Sequence, residues 1–164
     1  MTRPKVQIIS ARDAGLPVFD GAAPVFDADA IARADETLKA MSSSFQSWLE
    51  TDIAKLQTAR QAAEQSGWSD AALAQLMDVA HDIKGMGASY GYPLATEIAA
   101  SLCRLIETSA GKAAARAEPR LACAHVDSLR AIVRDQIKSA EHPTGRAVLK
   151  MLAAEVEKLG VAPR

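Results

Sequence analysis

Apolar positions from Ile31 onward recur at Ala34, Leu38, Met41, Phe45 and Trp48, then at Leu49, Ile53 and Leu56. This heptad-like spacing predicts a long first helix, capped by Asp27 or Asp29 and ended by Gly67. The run Ser42-Ser43-Ser44 within it is a candidate kink or break. A second helix is predicted from Ser69 or Asp70 to Gly91. A third starts at Pro93, a residue suited to a first helical turn, and runs to about Ser109 and Gly111. Val126, Leu129, Val133 and Ile137 mark a further helix that begins near Glu118 and Pro119. Pro143 and Gly145 break the chain again, and Val148, Leu152, Val156 and Leu159 outline a short amphipathic C-terminal helix.

Residues 1–26 read differently. Pro4, Pro17, Pro24, Gly15 and Gly21 interrupt them, and no helical period is sustained. They predict an extended or partly disordered leader, strand-like at Val6–Ile9, with Val18, Phe19, Val25 and Phe26 able to pack on the helices. Short connections between long helices imply antiparallel neighbours. The expected fold is therefore all-α: an antiparallel up-down four-helix bundle over residues 27–164, with an additional C-terminal helix and an extended N-terminal leader.

Composition narrows the function. The chain has 164 residues, enough for one core, and its hydrophobic 49% is rich in alanine and poor in aromatics at 4%, which favours helix over strand. A net charge of -1 offers no basic field, so no nucleic acid and no membrane surface is expected as a partner. No apolar run reaches the length of a membrane span and no signal peptide opens the chain, which points to a cytoplasmic protein. Cys103 and Cys123 form no CxxC pair and read as reduced thiols.

The candidate chemistry lies in "AHDIKGMGASYG", Ala80 to Gly91. With His81 at zero on a helical wheel of about 100° per residue, Leu73, Leu76, Val79, Ile83, Met86 and Tyr90 gather on the opposite, core side. His81 then points to solvent, with Lys84 and Gly85 one turn on and Ala74, Met77, Asp78, Ala88 and Ser89 completing its surface. A helical glycine costs about 1 kcal/mol relative to alanine, so Gly85 needs a reason. Beside the imidazole, any side chain would obstruct an approaching molecule, and small Ala88 extends the clearing. Gly87 falls nearer the core, where close helix packing explains it better. An imidazole is a competent nucleophile near neutral pH, and an adjacent ammonium can stabilise a phosphoryl group.

These residues resemble the signature of histidine-containing phosphotransfer (HPt) domains, including those at the N-terminus of chemotaxis kinases. The shared pattern is His81, Ile83, Lys84, Gly85, small residues through Ala88 and Ser89, then Gly91, continuing through Ile98 and Leu102. The resemblance implies a phosphoryl carrier of two-component phosphorelays, not an ATP-dependent kinase. His81 would take the group from a receiver-domain aspartate and pass it to another. Lys84 would neutralise phosphate charge, Gly85 would admit the receiver, and Ser89 would hydrogen-bond nearby. It implies receiver domains of response regulators or hybrid histidine kinases as partners, no cofactor of the chain's own, and Mg2+ on the receiver. In much of the family a Glu or Gln, 22 positions after the histidine, orients the ring; here that position is Cys103, a weak hydrogen-bond participant. Glu97 and Glu107, on the same predicted helix, are the candidates to serve instead, and the resemblance transfers the role to neither.

Other readings are weaker. His125 and His142 lie outside any metal-ligand spacing, and no phosphate loop or kinase motif is present. Trp48 and Trp68 read as packing residues. A non-catalytic helical adaptor that binds a signalling partner is the alternative function. A dimeric phosphotransferase built from helical hairpins is disfavoured, because four or more self-contained helices suit a monomer.

Overall fold

The computed structural model describes residues 28–160, which form six helices and no strand. The predicted leader, the Asp27 cap and residues 161–164 lie outside the described residues. The chain divides into two compact units, Met1–Leu38 and Lys39–Arg164. In the first, residues 28–38 are helical, with Ile31 and Leu38 exposed. They begin α1, Ala28–Gln65, which continues through the three serines. A serine costs a helix only about half a kcal/mol, so the run does not split the helix in two. Asp29 falls inside the first turn and not ahead of it.

The second unit holds the core. Ser69 caps α2 (Asp70–Met86), its hydroxyl accepting the Ala72 N–H at 3.3 Å. Pro93 opens α3 (Pro93–Glu107), and α4 (Ser109–Ala117), α5 (Pro119–Arg134) and α6 (Pro143–Lys158) follow. Nine of the 15 residues of α3 are buried, so this helix turns most of its surface inward and sits at the centre of the unit. It packs on α2, α4, α5 and α6. The central layer is Leu94, Ile98, Leu102, Leu105 and Ile106 from α3, with Leu73, Leu76 and Ile83 of α2 and Val126 and Leu129 of α5.

The other elements close around this layer. From the Lys39–Gln65 part of α1, Leu49, Leu56 and Ala63 are fully buried, and Arg60 reaches Asp127 of α5 at 3.1 Å. Cys123 of α5 donates its thiol hydrogen to Glu64 at 3.3 Å. Of the rest of the predicted apolar stripe, Phe45 is half-buried, and Ile31, Ala34, Leu38, Met41 and Trp48 are exposed. Heptad spacing reports that a face is apolar, not that something lies over it. Trp48 is thus no core residue, although its ring centroid lies 5.5 Å from that of Phe45 and 6.1 Å from that of Tyr90. Trp68 is buried in the α1–α2 turn, where its carbonyl accepts from Arg116 Nε at 3.0 Å.

Three predicted boundaries move. The third helix ends at Glu107, and residues Ser109–Ala117 form a separate helix. Thr108 is extended between the two and accepts the Gly111 N–H on its hydroxyl at 3.0 Å. A side chain at Gly111 would collide with the Leu105 carbonyl oxygen, so this glycine permits a close turn and does not stop a helix. Gly145 lies inside the first turn of α6, where an added Cβ would sit 2.7 Å from Leu94 Cδ2. The second helix ends at Met86, short of Gly91.

Candidate functional site

The buried stripe Ala72, Leu73, Leu76, Ala80 and Ile83 fixes which way α2 faces. About 100° per residue then turns Ala74, Asp78, His81, Lys84 and Gly85 outward, and all five are exposed. Ala88 and Ser89, in the turn beyond the helix, are exposed as well. Met77, predicted on this face, is half-buried at its edge. Met86, predicted in the core, is 43% exposed, because Gly87 and not Met86 meets α3. No hydrogen bond or ion pair engages the His81, Lys84 or Ser89 side chains among the described residues.

The two glycines differ sharply. An added Cβ at Gly85 would meet nothing within 4 Å. At Gly87 it would sit 2.8 Å from Thr96 Oγ1, 2.9 Å from the Ile83 carbonyl oxygen and 3.0 Å from the Thr96 nitrogen. Gly87 therefore lets the end of α2 approach the first turn of α3. Thr96, which belongs to no part of the sequence-predicted site, ties this junction by accepting the Ala88 N–H at 2.8 Å. The Tyr92 N–H reaches the Gly87 carbonyl at 2.8 Å, and Gly91 takes a positive φ of 81°. These bonds hold Ala88 and Ser89 beyond His81.

Cys103 is buried on α3, and burial is the main cause that pushes its thiol up to about 11, against the opposing charge of Lys84. It is a neutral thiol at physiological pH. Glu97 and Glu107 are exposed on the same helix. A further ionisable side chain in the core is His125, whose Nδ1 is 2.8 Å from the Leu121 carbonyl and whose Nε2 is 2.9 Å from Ser101 Oγ. Desolvation lowers its pKa to about 4, so it is a neutral core histidine. The signal for this burial is its place one residue before Val126 on the apolar stripe of α5.

Among the described residues, no group of three His, Cys, Asp or Glu side chains could hold a metal ion. No described helix is long and apolar enough to cross a membrane. Comparison with curated proteins and with solved structures gave no match. The Hpt domain profile matches residues 40–140, well over half of the chain and all of α2, α3 and α5. The chain belongs to the Hpt domain family, whose members take part in two-component phosphotransfer.

Proposed function

We propose that this protein carries a phosphoryl group on His81 between aspartates of receiver domains. The observation that carries the reading is the His81 face: an exposed, unengaged imidazole with Lys84 one turn on and open space at Gly85. In the forward step a ring nitrogen attacks the phosphorus of an aspartyl phosphate. The N–P bond forms as the O–P bond breaks, and the carboxylate leaves. The second receiver's carboxylate reverses this exchange. Lys84 offsets charge on the transferring group, and Ser89 lies in reach of a docked partner. Ala74, Met77, Asp78 and Ala88 form the docking surface. Such chemistry rests on positioning and electrostatics, so the receiver brings the Mg2+ and the carrier needs no cofactor.

We read the bundle as up-down, formed by the Lys39–Gln65 part of α1 with α2, α3 and α5, and supplemented by α4 and α6. It acts as a monomer in the cytoplasm. The receivers belong to response regulators or hybrid histidine kinases. A non-catalytic adaptor is the second reading; among the described residues no hydrogen bond orients the His81 ring. Incubation with a receiver labelled on its aspartyl phosphate separates the two. Transfer predicts acid-labile, alkali-stable label on this protein that His81→Gln abolishes without loss of helicity. A fully labelled variant, or an unlabelled wild type, contradicts the carrier reading.

A further inference from the structure

An open groove of about 600 Å³ runs between α1 and α2, with Ala54, Lys55 and Thr58 on one wall and Gln75, Asp78 and Val79 on the other. Phe45 and Trp48 of α1 meet Tyr90, in the turn just beyond the end of α2. Moving up α1 therefore means moving down α2, and Lys55 comes level with the turn from Asp78 to Asp82 that carries His81. Its side chain is 61% exposed and bonds Asp52 at 2.8 Å. That bond pushes the lysine pKa up, with Asp82 adding a weaker contribution across the helix pair.

We propose that Lys55 is a recognition residue of the phosphotransfer face, its ammonium exchanging Asp52 for the phosphoryl group that a receiver brings over His81. This rests on the carrier reading. His81 is then flanked by cations from two helices, Lys84 on its own and Lys55 on the neighbour. Asp52 competes for Lys55 in the resting protein. An exposed contact of this kind is worth little in stability and is screened by salt.

The test measures the affinity of the full chain for one receiver, unmodified and loaded with beryllofluoride as a stable phosphoryl mimic, at low salt. Lys55→Ala should weaken binding of the loaded form by about two- to five-fold and leave the unmodified form unchanged. Lys55→Arg should restore it. Asp52→Asn should tighten binding of the loaded form, and this gain should vanish in the Lys55→Ala background. Equal affinity of wild type and Lys55→Ala for the loaded receiver overturns the proposal, as does an equal loss for both forms. Failure of wild type to accept label from the phosphorylated receiver would instead count against the carrier reading.

Discussion

A methyl group added at Gly87 would press on Thr96 and on the Ile83 carbonyl, whereas one added at Gly85 would meet nothing within 4 Å. Gly87→Ala should therefore lower the melting temperature, by the equivalent of about 1–3 kcal/mol as for other overpacked sites. Gly85→Gln should leave it unchanged or raise it, since glutamine is the better helix former, while blocking transfer by obstructing the receiver. Thermal melts paired with transfer kinetics check both. A Gly85→Gln protein that melts lower and transfers normally would show that the backbone, not access, requires glycine. Much of this was legible in the sequence, because the periodicity of α2 fixes which residues face outward. The exposure of Met86 was not, since it depends on where the helix ends against Thr96.

At the scale of elements, α3 determines the arrangement, and its contact with α5 includes the His125–Ser101 pair. Folded His125 has a pKa lowered to about 4, against an ordinary 6.5 when unfolded. Between these values the unfolded chain binds the extra proton, so stability is full above about pH 6.5 and falls as pH drops toward 4. The loss is on the order of 3 kcal/mol. Wild type should thus lose more melting temperature than His125→Gln between about pH 7 and pH 4.5; equal slopes would assign the acid sensitivity to other groups. The helices themselves were largely legible from apolar spacing and from Ser69 and Pro93. The separate α4 was not, because Gly111 reads as a stop when its neighbours in space are unknown.

Across the whole molecule, no described residue before Leu49 is buried, and the family match begins at residue 40. Deleting residues 1–38 should leave the melting temperature and the transfer rate nearly unchanged; collapse of either would place a structural or docking role in that unit. The central claim is that one imidazole carries the phosphoryl group. Phosphorus NMR of the protein after reaction with a phosphorylated receiver, with nitrogen-15 correlations to the histidine rings, tests it most directly. One phosphoramidate signal on His81 is expected, with His125 and His142 unmodified. A signal on either of those rings, or none on His81, would contradict it.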